Sequence, residues 1–183
     1  MGADVHAYVE YASFTASDGK PFWSNFTRSM GSRNYYLFCL LAGVRGDEGP
    51  VFPPRGMPEG RVGFWTSDDY WLYVAPDDQP QLAGRDEWVT REAAEKYVST
   101  YGSQPDLDKD GKLYRVSHPD WHSHSWLTAD ELEQVLSRYA AGVQGIWPAE
   151  KAVAPPEWKA ALAAMRSFEA DGQEARVVFW FDN

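Results

Sequence analysis

The sequence has little cysteine, no long apolar run and no excess of positive charge. Cys39 is the single cysteine among 183 residues, so a disulfide framework within the chain is excluded. Because Phe38 and Leu40 flank it, we predict a buried core thiol and not a nucleophile. No apolar stretch approaches the roughly 20 residues of a membrane span, and no basic region leads into an apolar N-terminal segment. These absences predict a soluble, cytoplasmic protein without a membrane partner.

Acidic residues dominate the charge. The chain has 27 Asp and Glu against 17 Lys and Arg, a formal net charge of −10. Such a chain has no general attraction for a phosphate backbone, so a nucleic-acid polymer is not expected as a partner. No Walker loop, dinucleotide fingerprint, Cys-x-x-Cys pair or nucleophile elbow is present, so the motifs leave any cofactor unknown.

Aromatic residues are abundant, with nine Trp, ten Tyr and nine Phe. Several tryptophans lie in turn-rich sequence, where two interpretations apply. They brace irregular chain by burial, or they build a pocket in which a ring can stack.

Helical patterns with start and stop signals cover residues 32–43, 90–102, 128–142 and 155–172. The clearest begins at Thr128, which forms a capping box with Glu131 and is followed by apolar residues at helical spacing. Strands are predicted at 3–11, 61–65, 70–74, 112–116 and 174–181, with a hairpin turn at 67–69 and an irregular loop at 43–60. The pattern predicts an α+β fold: a single domain over residues 1–183, with a mixed or antiparallel sheet that includes both terminal strands and packs with about four helices.

Residues 106–111 resemble half of a calcium-binding loop. Asp106, Asp108 and Asp110 occupy the first, third and fifth positions, and Gly111 follows. Ser117 stands where the bidentate glutamate belongs. We therefore predict a surface turn without strong calcium affinity.

The four histidines suggest a second polar region. His118, His122 and His124 crowd into one segment that we predict to be a loop, and His6 alternates with Asp4 on the first strand. This arrangement is compatible with a divalent metal, with a histidine general base, or with purely structural hydrogen bonds. The identity of any metal stays unknown.

Three arginines surround the first predicted helix and the loop after it. Arg33 falls in the predicted first turn, where a cation opposes the helix dipole but can help to hold an anion. Arg45 follows the same helix, and Arg55 lies in a Pro-Pro-Arg-Gly turn. An anion site and ordinary salt bridges both explain them.

Short blocks along the chain resemble a family of small bacteriophage proteins that open Met-Gly-Cys-Asp-Ile-His. Here the opening is Met-Gly-Ala-Asp-Val-His, and further blocks are Arg-Asn-Tyr-Tyr-Leu-Phe from Arg33, Trp-His-Ser-His-Ser-Trp-Leu-Thr to Thr128 and the final Phe-Trp-Phe-Asp-Asn. The resemblance implies a phage origin and location in the host cytoplasm. It implies no reaction, and it leaves residues 60–102 uncovered.

These observations define one candidate site and three candidate functions. The candidate catalytic residues are His122, His124 and Ser125, and the candidate ligand-binding residues are Asp4, His6, Arg33, Arg45, Arg55, Trp126 and Asp182. We expect five of them (Asp4, His6, Arg33, Arg55 and His122) to line one cleft. We also expect the first and last strands to neighbour each other, which brings Asp4 and His6 near Asp182. The first hypothesis is a pocket for a small anionic, nucleotide-like ligand, through which the protein sequesters or degrades a host immune signal. The alternatives are a hydrolase that uses a metal or a histidine general base, and an acidic protein that inhibits a host factor by direct interaction.

Overall fold

A computed structural model describes residues 2–29, 33–85, 87–143 and 154–182. In chain order its elements are β1 (Asp4–Thr15), β2 (Pro21–Ser29), α1 (Tyr35–Ala42), α2 (Phe64–Tyr70), β3 (Trp71–Val74), β4 (Trp88–Val89), α3 (Arg91–Tyr101), β5 (Pro105–Leu107), β6 (Leu113–Ser117), β7 (His122–Thr128), α4 (Ala129–Val143), α5 (Pro156–Ala170) and β8 (Ala175–Asp182). The strands form two four-stranded sheets, so the predicted α+β class is confirmed. Among the described helices, none is long and apolar enough to cross a bilayer.

The chain comprises two compact units. The first consists of Met1–Thr66 with His122–Asn183, and the second of Ser67–Trp121. That residues 1–183 form one domain stays a prediction.

The first unit is built on an antiparallel sheet of order β2-β1-β8-β7. Alternation along β1 puts Val5, Ala7 and Val9 on one face, where they belong to a core shared with α1, α4 and α5. Burial of each large side chain in this core contributes about 1.5–3 kcal/mol. The opposite face carries the polar and aromatic residues of the same strands, so it is this face that can hold a site.

The predicted helix ends are confirmed where they were predicted from capping residues. Thr128 and Glu131 exchange the two hydrogen bonds of a capping box at the start of α4. Gly142, predicted to end that helix, lies inside it, and the Tyr36 hydroxyl approaches so closely that a Cβ would overlap it. Its role is close packing and not termination. The start predicted for the first helix, Ser32, lies outside the described residues.

The structure differs from the sequence predictions at four segments. Residues 61–65 are predicted as a strand, but 61–63 have no regular structure and α2 begins at Phe64. Residues 67–69 have turn chemistry, but they lie within α2, a helix of seven residues that is too short to show apolar periodicity. The segment 21–29 carries no clear alternation, yet it pairs with β1 as β2, with two bulges. The predicted histidine loop is the edge strand β7, because its backbone pairs with β8.

The second unit contains α3 and a mixed sheet of order β4-β3-β6-β5. Thr90 and Gly102 cap α3 as the sequence predicts. Asp108 Oδ1 accepts hydrogen bonds from the backbone N–H groups of Asp110 and Lys112, both at 2.9 Å, in the turn between β5 and β6. Residues 106–111 are thus an exposed hairpin turn, and their low calcium affinity stays a prediction.

Candidate functional site

Four linked polar side chains lie at the paired ends of β1 and β8, and we name them the terminal-strand cluster: Asp4, His6, Arg33 and Asp182. Asp182 Oδ1 accepts from the Asp4 backbone N–H at 3.1 Å, and its Oδ2 lies 2.9 Å from Nε2 of His6. Arg33 donates from Nε and Nη2 to the two Asp4 carboxylate oxygens, each at 2.6 Å. The register causes this grouping, because it sets Asp4 opposite Asp182. The prediction that the terminal strands neighbour each other, with Asp4 and His6 near Asp182, is confirmed.

Arg33 does not lie in the first turn of a helix, which corrects the dipole argument. It precedes Asn34, whose side chain caps α1 by accepting from the Leu37 N–H. Arg33 is therefore held by Asp4 across the strand end. The hydrogen bonds from Arg33 lower the pKa of the Asp4 carboxyl, and the same contacts raise the pKa of Arg33. Both groups stay charged at neutral pH.

The His6 ring is fixed by a second kind of contact. It stacks on the Trp180 indole with ring centroids 5.5 Å apart and planes within 5°. Trp180 also stacks with Tyr8 at 5.6 Å, and Arg28 lies over the Tyr8 ring at 5.7 Å. A ring with one edge bonded to Asp182 and one face against a buried indole has little freedom to rotate.

Arg55 lies in a different group, which we name the Trp126 clamp: Arg55, Trp126 and Glu131. Its guanidinium donates to both Glu131 carboxylate oxygens, at 3.1 and 2.8 Å, and to the Trp126 carbonyl, and it lies 3.8 Å from the Trp126 ring centroid. Burial raises the pKa of Glu131, but the hydrogen bonds from Arg55 and Thr128 outweigh it and the net shift is downward. Arg55 thus ties its loop to the start of α4.

The segment that carries the candidate catalytic residues is a bulged part of β7. Ser123 has a left-handed backbone (φ 54°), and the register with β8 shifts between His122 and Ser125. Ser125 is buried, and its Oγ accepts from the Arg55 backbone N–H at 3.3 Å. These contacts attach the Arg55 loop to the edge strand.

The pairing corrects the expectation of a single cleft. His6 lies opposite Trp180, whereas His122 lies opposite Phe181 and stacks on its ring at 6.2 Å. Directly paired residues share a face and consecutive residues alternate, so the two histidines project from opposite faces of the sheet.

His124 is a weak base in this fold. Burial, with a smaller contribution from neighbouring His122, lowers the pKa of His124 to about 4. A general base is most effective when its pKa lies near the working pH, so His124 is poorly suited to that role at neutral pH.

Arg45 lies apart from the terminal-strand cluster, and the described residues offer no group of side chains that fits a metal ion. Arg45 follows α1 at φ 60°, and the eight residues of that helix, about 12 Å long, separate it from Arg33. In the described ranges, no group of three or more His, Cys, Asp or Glu side chains is placed to hold a metal ion.

Sequence reasoning missed a buried ion pair on the same face of the sheet. Arg176 donates from Nε to Glu10 Oε2 at 2.9 Å, and its guanidinium lies 3.7 Å from the Trp23 ring centroid. Glu10 Oε1 also accepts from the Gly63 N–H at 2.7 Å and from the Thr66 hydroxyl. Burial lowers the pKa of Arg176, although Glu10 opposes the shift. Alternation along the two strands is a signal that pairs Glu10 with Arg176 once the register is known.

Two neighbours of Arg33 were also missed. Tyr35 follows the cap residue and is 41% exposed. Gly2 approaches Arg33 so closely that a Cβ there would lie 2.5 Å from Nη1 and 3.1 Å from the Tyr35 hydroxyl. The glycine in the Met-Gly opening is the sequence signal for this close approach.

The terminal-strand cluster therefore combines a fixed imidazole with a fixed guanidinium, and the exposed phenol ring of Tyr35 lies beside it. Such an arrangement can bind an anionic group and can accept a proton from a bound molecule. Comparisons of the chain with protein-family models, with curated proteins and with solved structures gave no match.

Proposed function

We propose that the terminal-strand cluster binds a small anionic ligand, with nucleotide-like compounds as the class that fits its chemistry. The observation that carries this proposal is the two-point pairing of Arg33 with Asp4. A guanidinium has five N–H donors, and Asp4 takes two of them. Among the described residues nothing else accepts from the remaining three, which can donate to a phosphate or carboxylate group, and the Arg33 side chain is 55% exposed.

Asp4 contributes by orienting the guanidinium. A long arginine side chain loses rotamer entropy when it binds a ligand, and prior fixation reduces that cost. Gly2 supports the same geometry, because any side chain there would displace the Arg33 head group. The site is thus arranged before a ligand arrives.

Tyr35 supplies the element that favours a ring-bearing anion over a bare one. Its exposed phenol ring lies near Arg33 and can stack with a nucleobase, a contact worth about 1–3 kcal/mol. The net charge of −10 repels anions at long range, so binding depends on these short-range contacts. In a phage setting, such a ligand would be a host signal that the protein sequesters or degrades.

Thermal-shift and calorimetric titrations against mono-, di- and cyclic nucleotides and inorganic phosphate test the proposal, with and without a chelator. We expect at least one nucleotide to stabilise the protein, and Arg33→Ala to weaken its binding at least about tenfold. Arg138→Ala is the matched control, because Arg138 is 63% exposed and has one carboxylate, Glu48, at 3.9 Å. Equal behaviour of the two variants, or no stabilisation of the wild type, contradicts the proposal.

A second candidate function is hydrolysis of the bound ligand, and the His6–Asp182 contact favours it. A carboxylate 2.9 Å from Nε2 orients the imidazole, and a histidine oriented by a carboxylate is part of a general-base arrangement. The structure thus favours His6 over His122 and His124 for this role. His6→Gln should then retain ligand binding and abolish product release measured by chromatography; a wild type that binds without turnover limits the protein to sequestration.

A further inference from the structure

Two tryptophans from the two edge strands of the first sheet wall a separate cavity, which we name the Trp23–Trp126 cavity. Its volume is about 500 Å³, and Glu169, Glu174 and Arg176 contribute to its lining. A cavity of this size holds a small organic molecule. It lies at the end of the strands where Thr128 pairs with Arg176, whereas the terminal-strand cluster lies six residues further along β8 at Asp182.

The two indole rings already accept planar cations from the chain itself. Arg176 lies 3.7 Å from the Trp23 ring centroid, and Arg55 lies 3.8 Å from that of Trp126. Indole is the aromatic side chain that binds cations best, because its ring faces are electron-rich. Both tryptophans that wall this cavity therefore already contact guanidinium groups of the chain.

The charge balance of the lining selects the same class of ligand. The positive charges of Arg176 and Arg55 are each compensated by a carboxylate, Glu10 and Glu131 respectively. Glu169 accepts a hydrogen bond from Arg166 at 2.9 Å. Glu174 adds a further exposed carboxylate, and within the described ranges no side chain hydrogen-bonds it. The lining thus holds two glutamates against one arginine, and Glu10 already pairs that arginine, so an anion entering here meets net negative charge whereas a cation is attracted by it.

We infer that the Trp23–Trp126 cavity binds a small, weakly hydrated organic cation with a guanidinium or quaternary ammonium head group. Aromatic walls replace the loose hydration shell of such a head group, and Glu174 neutralises its charge at the rim. The free small molecule and the basic side chain of a peptide share this chemistry. The inference does not depend on the proposed anion site.

Titration of the ¹⁵N-labelled protein, followed through its indole N–H resonances, tests the inference. The probes are tetramethylammonium, methylguanidinium and, as an uncharged molecule of the same shape as the first, tert-butanol. We expect saturable shifts for Trp126 with both cations, with dissociation constants of the order of 1 mM, and at least about tenfold weaker binding of tert-butanol. A short arginine-containing peptide that binds more tightly than methylguanidinium would identify a peptide as the source of the cation; equal affinity would identify the free molecule.

Two variants with matched controls complete the test. Glu174→Gln changes an exposed turn residue and should weaken cation binding about two- to fivefold, whereas the exposed Glu95→Gln should not. Trp126→Leu should abolish the saturable shift of the remaining cavity tryptophan, Trp23, whereas Trp65→Leu, at a residue 51% exposed outside the cavity, should preserve it. Equal binding of tert-butanol, equal effects of variants and controls, or binding of inorganic phosphate in place of the cations overturns the inference.

Discussion

Strand β1 carries two carboxylates on one face, six residues apart, and each pairs with an arginine. Glu10 and Arg176 form their pair with side chains 0% and 7% exposed, whereas those of Asp4 and Arg33 are 49% and 55% exposed. Both pairs bring the guanidinium to within hydrogen-bonding distance of the carboxylate. Arg33 donates to both oxygens of Asp4, whereas Arg176 donates from Nε to Glu10 Oε2 and has its Nη2 2.8 Å from the same oxygen. Burial makes the difference, because a buried charge depends entirely on its partner while an exposed one can exchange that partner for water or for a ligand. We therefore propose a structural role for the inner pair and a ligand-binding role for the outer pair.

The Trp126 clamp extends this comparison to three pairs. Arg55 and Glu131 are 34% and 20% exposed, which places them between the other two. If burial decides the role, the loss of stability should be largest for the most buried pair, and the effect on ligand binding should be largest for the most exposed pair.

The largest effect is expected from Glu10→Gln. The substitution leaves Arg176 buried without its counter-charge and weakens the contacts to Gly63 and Thr66, so we expect a loss of about 3–5 kcal/mol in the free energy of unfolding. Urea denaturation measures it. The double variant Glu10→Leu/Arg176→Leu should recover part of the loss, since no charge is then left buried. A loss below about 1 kcal/mol for Glu10→Gln would remove the basis of the comparison.

The sequence could predict those parts of this contrast that follow from local patterns, such as strand alternation and helix caps. Alternation along 3–11 and 174–181 is local, and it identified Asp4, His6 and Asp182 as neighbours at strand ends. The Thr128 cap was equally legible, since both partners lie within one turn. In contrast, the pairing of Glu10 with Arg176 lies in the interior of both strands and requires the exact register, which no local pattern contains.

The errors have the same origin. The residues at 67–69 are typical of a turn and suggested a hairpin. They lie in a helix of seven residues, which is too short to show the apolar periodicity that would have indicated a helix. Arg33 was placed in a helix because its neighbours are helical, whereas its partner on β1 decides its position. The tryptophans followed neither the helical nor the strand period. Composition alone therefore could not decide whether they order irregular chain by burial or form a pocket in which a ring stacks. Trp23 and Trp126 prove to contact arginines and to wall a cavity at once.

His124 allows the effect of burial to be tested on a side chain that can lose its charge. Its pKa is lowered to about 4, so the folded protein holds it neutral while the unfolded chain takes up a proton below about pH 6.5. Stability should therefore fall as pH drops from about 6.5 to about 4, by up to about 3 kcal/mol in total, and this contribution should level off below the folded pKa. Urea unfolding at several pH values shows the slope.

His124→Gln should flatten that slope between pH 6.5 and 4.5. Asn34→Ala, which removes the cap of α1 at a cost of about 1 kcal/mol without removing a titratable group, should keep the wild-type slope. Parallel curves for His124→Gln and the wild type would contradict the assignment.

An intermediate loss is expected from Arg55→Met, which keeps an apolar stem over Trp126 but removes the bonds to Glu131 and to the Trp126 carbonyl. We expect about 1–2 kcal/mol, because charge-assisted hydrogen bonds at this degree of exposure are partly replaced by water. Thermal denaturation measures it, and Glu131→Gln, which retains the capping geometry, is the matched variant. A loss equal to that of Glu10→Gln would break the proposed order.

The smallest effect on stability, and the most informative one, is expected from Asp4→Asn. The outer pair is exposed to water on both sides, so the melting temperature should stay within about 1 °C of the wild type. The amide offers one acceptor oxygen where the carboxylate offered two, so Arg33 loses its two-point fixation but remains a cation.

If Asp4 orients Arg33 for an anionic ligand, Asp4→Asn should weaken nucleotide binding several-fold. If Asp4 merely occupies the anion site of Arg33, the same variant should strengthen binding. Calorimetric titration of Asp4→Asn beside Arg33→Ala separates the two, because Arg33→Ala weakens binding in either case. A large drop in melting temperature for Asp4→Asn would instead show that the outer pair is structural like the inner one, and the contrast between the two ends of β1 would be lost.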